Sequence, residues 1–320
     1  MNTTISHPPG EGEMGITASS DFAHVHRFSH LAMASEFHVW IRHEDSVYAG
    51  QAAWEAFRLL DRLEAELSRF EPNSDISRLN LLPPGEIFRP GEDVFACLQL
   101  ASTIQRATGG AFDVTAGILK DLWQPPVHGI SRIGRWIKSG LIPVGGHHLH
   151  FSDREMILWK DAPVQIDLGA IGKGYAIDRM VASLQEWDLN DFLVHGGASS
   201  VAARGCAPGH DGWPVALRDP RDRDRVLAHF EFSGQALGAS GLEKGPHIID
   251  PVKARPAKKM LAVWVIAAEA ATADAFSTAF MVMPFEAIKQ CLAERGELGA
   301  LLLPAMKKSG PIYLAWPGQG

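Results

Sequence analysis

The chain has 320 residues, 46% hydrophobic and 21% charged, enough to bury a core without disulfide staples. Its formal net charge of −7 argues against a nucleic-acid partner, so an anionic ligand needs a local positive site or a metal ion. Cys97, Cys206 and Cys291 are far apart, with no CxxC pair, and no apolar run reaches the roughly 18 residues that span a bilayer.

The first 29 residues are rich in Ser, Thr, Gly, Pro and His. They lack the basic start and apolar stretch of a secretory signal. The expectation is a disordered arm over 1–29, a single domain over 30–320, and a cytoplasmic protein with reduced thiols. Met33–Arg42 alternates as a strand, and Ala52–Phe70 has helical spacing through Trp54, Phe57, Leu60, Leu63 and Leu67. Ser74–Asn80 reads as a short capped turn. Val94–Thr108 reads as a second amphipathic helix stopped by Gly109-Gly110. Leu141–Trp159 suggests a β-hairpin turning near Ser152-Asp153, and Ala176–Trp187 a helix. Phe192–Val194, Trp213–Leu217, Val226–Phe232, Gln235–Ala239 and Leu261–Ala267 read as strands, and Thr272–Met283 as a helix. Strands and helices are partly segregated, without a βαβ repeat, which favours an α+β fold. The oligomeric state is open, with a homodimer the commonest assembly.

Several short motifs carry possible chemistry. Ile166-Asp-Leu-Gly-Ala-Ile-Gly-Lys-Gly-Tyr-Ala-Ile-Asp178 reads as an apolar strand, a glycine-rich turn and a helix start. Gly169, Gly172 and Gly174 permit close backbone approach or positive φ. Lys173 among helix-start amides suits a phosphate or pyrophosphate. Asp167 and Asp178 flank the turn, where a base, ribose or metal has use for a carboxylate. The alternative is a tight turn with a solvated lysine. Asp274 and Thr278 stand four apart, so on a helix they share a face as hard oxygen donors suited to Mg²⁺. The structural alternative is a cap at Thr272 or Asp274, with Thr278 packed or bonded back to its own helix. His247 and Asp250 lie in an extended piece before Pro251, where a histidine can serve as a base or as a structural group. Thr108–Asp113 fits a helix stop followed by an Asx turn, and His195-Gly196-Gly197 a backbone-approach site or a crowded turn.

Taken in order, these pieces resemble the FAD:protein FMN transferases, the ApbE-like flavin transferases. The resemblance runs from about Met33 to about Met283. It rests on Met33-Ala-Ser, Leu67–Asn80, Thr108–Thr115 with Trp123 beyond, Asp167–Asp178, Val194-His-Gly-Gly197, His247-Ile-Ile-Asp-Pro251 and Thr272–Thr278. It implies the family's α+β architecture, related to the T-fold. It also implies Mg²⁺-assisted transfer of FMN from FAD to a Ser or Thr of an acceptor protein, with release of AMP. The metal would be held by Asp274, Thr278 and the backbone carbonyl of Ala170. Met33, Phe70, Ala111, Phe112, Asp113, Asp167 and Lys173 would line the FAD site, and His247 would deprotonate the acceptor hydroxyl. The chain departs from the family pattern in three places. Only Leu-Glu-Lys-Gly-Pro separates Gly241 from His247, Ala198 replaces the usual acid after the twin glycine, and Gly172 replaces an alanine. An FAD pyrophosphatase and a non-catalytic FAD-binding protein are the other readings of the same site.

Overall fold

The computed structural model describes residues 4–5, 24–123, 136–137, 139–243, 245, 247–306 and 309–316. In chain order the first elements are β1 (Thr4–Ile5), β2 (Val25–Ala32), β3 (Ser35–Arg42), α1 (Ser46–Leu67), α2 (Asp75–Leu81), α3 (Glu92–Ala107) and α4 (Gly117–Leu122). The middle of the chain forms β4 (Leu149–Ser152), β5 (Ile157–Lys160), α5 (Gly172–Glu186), β6 (Phe192–Gly196), β7 (Ser200–Arg204), β8 (Trp213–Asp219) and β9 (Asp222–Phe232). The last third forms β10 (Ala236–Gly241), β11 (Ile249–Asp250), β12 (Arg255–Pro256), β13 (Met260–Ala267), α6 (Ala270–Phe280), α7 (Phe285–Glu294), β14 (Gly299–Pro304) and β15 (Ile312–Leu314).

The chain divides into two compact units. Unit 1 comprises Met1–Arg62, Lys173–Ala239 and Trp264–Asp274; unit 2 comprises Leu63–Gly172, Ser240–Val263 and Ala275–Gly320. In unit 1 antiparallel ladders run β1-β2-β3-β6-β7-β10, and β8 pairs with β9. In unit 2, β4 pairs with β5, β11 with β12 and β14 with β15, again antiparallel. Antiparallel ladders beside separate helices make this the α+β fold that the element order suggested.

Side-chain pattern accounts for the sheet. Phe37, Val39 and Ile41 of β3 are fully buried, and His38 and Trp40 on the opposite face are nearly so. A strand covered on both faces reads as a near-continuous apolar run, which is why it was legible. β2 was not, because Arg27, Ser29 and His30 interrupt its apolar residues. It pairs with β3 from Val25 onward, so residues 25–29 of the stretch that composition marks as an arm are strand. Residues 6–23 of that arm lie outside the described residues. The β2–β3 turn has Met33 and Ala34 at φ of 50° and 53°, left-handed values that a two-residue hairpin demands and that non-glycine side chains resist.

The hairpin expected over Leu141–Trp159 starts later, at Leu149. Gly145 has φ 143°, and its N–H donates to Thr115 Oγ1 (2.7 Å) while Gly146 N–H donates to Asp113 (3.0 Å). Those amides are taken by a loop, so no ladder can form there. The helix expected from Ala176 begins four residues earlier, at Gly172. None of Gly169, Gly172 and Gly174 adopts positive φ; close approach is the reason for glycine here. A Cβ at Gly174 would lie 2.3 Å from the Ala270 carbonyl oxygen and 2.7 Å from Ala271 Cα.

The start of α6 is capped from another helix. Asp178 on α5 accepts the N–H groups of Ala270 (2.7 Å) and Ala271 (2.8 Å). Thr272 and Asp274, the two residues that the sequence offered as caps, lie inside the helix instead. Burial raises Asp178 to about 6, despite the two backbone N–H groups that hold its ionised form.

Two predictions follow from this contact. Gly174→Ala should destabilise the protein by about 3 kcal/mol in urea denaturation, because backbone atoms of a buried helix cannot yield. Gly172→Ala, whose Cβ would meet Leu168 Cβ at an ordinary 3.7 Å, should stay within about 0.5 kcal/mol of wild type. Equal losses for the two would refute the close-approach account. The second prediction concerns pH. The folded value of Asp178 lies above the unfolded 3.8, so its contribution is fully present below pH 3.8 and is lost as pH rises through about 6. Across that window the stability of wild type should fall by about 3 kcal/mol relative to Asp178→Asn. Parallel stability profiles for the two proteins between about pH 3 and 7 would show that this carboxylate does not titrate so.

Candidate active site

Within unit 1, Lys173 opens α5 and Asp274 lies on the second turn of α6. The Asp274 carboxylate is 5% exposed, and Ser200 Oγ on β7 stands 2.7 and 2.9 Å from its two oxygens. Burial raises Asp274 to about 7, opposed by the charge of Lys173, the Ser200 hydroxyl and the Gly174 N–H. A Cβ at Gly238 would lie 2.3 Å from Ala273 C and Asp274 N, so β10 passes this turn of α6 at backbone distance. The arrangement is a buried carboxylate beside a cation, held by a hydroxyl and an amide. A desolvated carboxylate beside a charge partner marks a candidate functional site. No sequence motif singles out Ser200. Its spacing from Asp274 along the chain gives no signal, and only the register of β7 with β6 and β10 aims it.

Met33, also in unit 1, lies at the tip of the β2–β3 hairpin in the left-handed conformation described above. His195 faces His38 across the β3–β6 ladder, ring centroids 6.1 Å apart, and burial lowers it to about 4, so it is neutral. A Cβ at Gly196 would lie 2.7 Å from the Phe37 ring, which makes His195-Gly196-Gly197 a crowded turn.

Within unit 2, Asp167 is held by cations. Arg69 Nε lies 3.2 Å and Lys120 Nζ 3.5 Å from its Oδ2, while Oδ1 accepts Gly169 N–H at 2.8 Å. Arg69 also binds Asp121 through two parallel bonds of 2.8 and 2.7 Å, and its guanidinium lies 4.7 Å from the Phe70 ring centroid. That pairing holds the Asp121 carboxyl below its usual range. Phe70 itself is 76% exposed, an aromatic face presented outward. Arg69, Lys120 and Asp121 are the polar frame that sequence motifs did not single out.

The strand that leads into Asp167 is fixed by Asn80. Its Oδ1 accepts Ile166 N–H (2.7 Å) and its Nδ2 donates to Ile166 O (3.0 Å), in the manner of a neighbouring strand. Lys160 is buried beside it and donates to Asn80 O at 2.8 Å. Asp113 is likewise occupied by its own loop: Oδ1 accepts Thr115 N–H (2.8 Å) and Thr115 Oγ1 (2.6 Å). That is the Asx turn expected from the sequence. Phe112 packs in the core, 2% exposed, with its N–H bonded to Thr108 Oγ1, and Ala111 N–H bonds Thr108 O. Ala170 sits in the turn between Gly169 and the start of α5. Thr278 lies one turn beyond Asp274 on α6, and its hydroxyl is 2.9 Å from Ser240 Oγ, which also meets Ser277 Oγ at 2.8 Å. His247 is exposed, with Nδ1 2.9 Å from Gly245 O. A carbonyl only accepts, so Nδ1 carries the proton and the basic lone pair is on Nε2. Lys244 and Pro246 of the shortened segment lie outside the described residues. Among the described residues there is no group of three or more His, Cys, Asp or Glu side chains placed to hold a metal.

The chain is 28% identical over 276 residues to the FAD:protein FMN transferase of Klebsiella pneumoniae, covering 80% of this chain and 77% of that protein. It is 27% identical over 293 residues to the Salmonella typhimurium FAD:protein FMN transferase, covering 84% and 81%. Its fold is similar to the crystal structure of the Pseudomonas stutzeri flavinyl transferase ApbE in its apo form, with TM-score 0.78, 24% identity and coverage of 91% of this chain and 94% of that one. The ApbE protein of Thermotoga maritima superposes with TM-score 0.79, 24% identity and coverage of 91% and 97%. The family model of the ApbE family matches residues 33–302, most of the chain including every element described around Lys173, Asp167 and Asp274, and the chain belongs to the ApbE family.

Proposed function

We propose that this protein is an FAD:protein FMN transferase. It moves FMN from FAD to a serine or threonine hydroxyl of an acceptor protein and releases AMP. The observation that carries the reading is the buried Asp274 carboxylate beside the Lys173 charge, in a chain of this family. The three described cysteines are free thiols, which suits the cytoplasm as its compartment. Among the described residues no helix is long and apolar enough to cross a membrane.

The donor set suits a hard divalent cation. Asp274 offers a carboxylate already desolvated, Thr278 a hydroxyl one turn along the same helix, and Ala170 a main-chain carbonyl. All are oxygen donors, which favours Mg²⁺ over Zn²⁺. When bound, Mg²⁺ would neutralise pyrophosphate charge. Lys173 adds its own positive charge toward the same anion. Phe70, Met33, Asp167 and the Ala111–Asp113 loop are proposed to line the flavin nucleotide.

The reaction joins the acceptor oxygen to the FMN-side phosphorus and breaks the bond from that phosphorus to the AMP oxygen. A serine or threonine hydroxyl is a weak nucleophile and needs a base. His247 Nε2 takes the hydroxyl proton, and the Gly245 carbonyl fixes the tautomer that makes this nitrogen basic. The same geometry with water in place of the acceptor would give FMN and AMP, and the five-residue segment before His247 is where that outcome would originate.

Incubation with FAD, Mg²⁺ and a threonine-containing acceptor should yield a covalent FMN adduct by mass spectrometry, with AMP released only when acceptor is present. AMP and FMN appearing without acceptor would mean hydrolysis, and intact bound FAD a binding protein. Asp274→Ala should abolish Mg²⁺-dependent transfer with unchanged circular dichroism; retained metal dependence would place the metal elsewhere. His247→Ala should slow transfer by roughly 10²–10⁴-fold with little change in FAD affinity. A proportional loss of FAD affinity would make His247 a flavin contact rather than a base.

A further inference from the structure

We infer that Asp178 is a positioning residue for Asp274, acting through the N-terminus of α6. The inference rests on the reading of Asp274 as a metal ligand. Within unit 1 the starts of α5 and α6 exchange carboxylates. Asp178, near the second turn of α5, accepts the first two N–H groups of α6, at Ala270 and Ala271. Asp274, on the second turn of α6, receives the Gly174 N–H from the first turn of α5 and faces the charge of Lys173 there. Each helix start carries unpaired donors and a partial positive charge, and each is met by the acid of the other.

The exchange needs backbone contact between the helices. Gly174 supplies it on one side, and Gly238, packed against Ala273 and Asp274, holds α6 on another. Ala270 and Ala271 are completely buried, so no water replaces Asp178 as acceptor for their N–H groups. Asp274 stands about 6 Å further along the helix axis. Without Asp178 the first turn of α6 satisfies its amides only by unwinding or tilting. Either movement swings the Asp274 carboxylate away from the Ser200 hydroxyl and the Gly174 N–H that now hold it. Asp178 therefore sets where the carboxylate of Asp274 points, though it is one helix away from it. Sequence motifs place Asp178 beside the glycine-rich turn as a possible ligand to base, ribose or metal; both its oxygens are instead committed to this cap.

The test is Mg²⁺ binding to the full chain without flavin, by titration calorimetry, for wild type, Asp178→Asn and Asp274→Ala, beside their melting temperatures. Asp274→Ala should lose Mg²⁺ binding, and Asp178→Asn should raise the Mg²⁺ Kd by about tenfold or more. A role confined to stability would lower the melting temperature of Asp178→Asn and leave its Mg²⁺ Kd unchanged, and that result overturns the positioning role alone. Equal Mg²⁺ binding, or none, in wild type and Asp274→Ala overturns the metal reading of Asp274 and this inference with it. If Asp178→Asn does not fold, amide hydrogen exchange on wild type decides. By reciprocity, saturating Mg²⁺ should slow exchange at Ala270 and Ala271 by about the same factor, and unchanged exchange overturns the coupling.

Discussion

The start of α6 against the start of α5 is the constraint on which the rest of unit 1 depends. Two buried helix ends would ordinarily leave donors unsatisfied, and satisfying them with water is impossible at fully buried Ala270 and Ala271. The chain solves this with Asp178, and the solution has a cost visible in its raised pKa. The same desolvation acts on Asp274, which sits one turn further on with Lys173 and Ser200 as its compensation. A carboxylate kept dry beside a cation is what marks this turn of α6 as a candidate functional site.

Unit 2 uses a different device. Around Asp167 and Asp113 its polar groups hold loops in place. Arg69 is clamped by Asp121 and in turn meets Asp167; Asn80 imitates a strand neighbour for Ile166; Asp113 and Thr115 take the amides of Gly145 and Gly146. Each acid that the family resemblance assigns to flavin binding here is therefore already structural through at least one oxygen. For Asp113 both oxygens are engaged, so it holds the shape of its loop rather than presenting a free carboxylate. The Phe112 side chain fills the core and presents no ring to solvent.

Much of the fold was legible along the chain. β3, α1, α3 and β13 carry apolar periodicities strong enough to be read directly, and Gly109-Gly110 ends α3 as its left-handed φ values require. β2 and β7 were not legible, nor were the elements after Met283, α7, β14 and β15. β2 is broken by polar residues, and β7 is a small-residue strand, Ser-Val-Ala-Ala-Arg, whose identity comes from its partners β6 and β10.

The sequence by itself determined the residue types and their order: a glycine-rich turn with Lys173, an acid and a hydroxyl four apart at Asp274 and Thr278, and a histidine at 247, enough to identify the family. Only the tertiary structure decided what each group does to its neighbours. Spacing along a chain cannot reveal that Asp178 caps a helix beginning 92 residues later, or that Ser200 reaches an acid 74 residues away. Those contacts arise from ladder register and helix approach, and burial at those points, not residue type, sets the raised pKa values of Asp178 and Asp274.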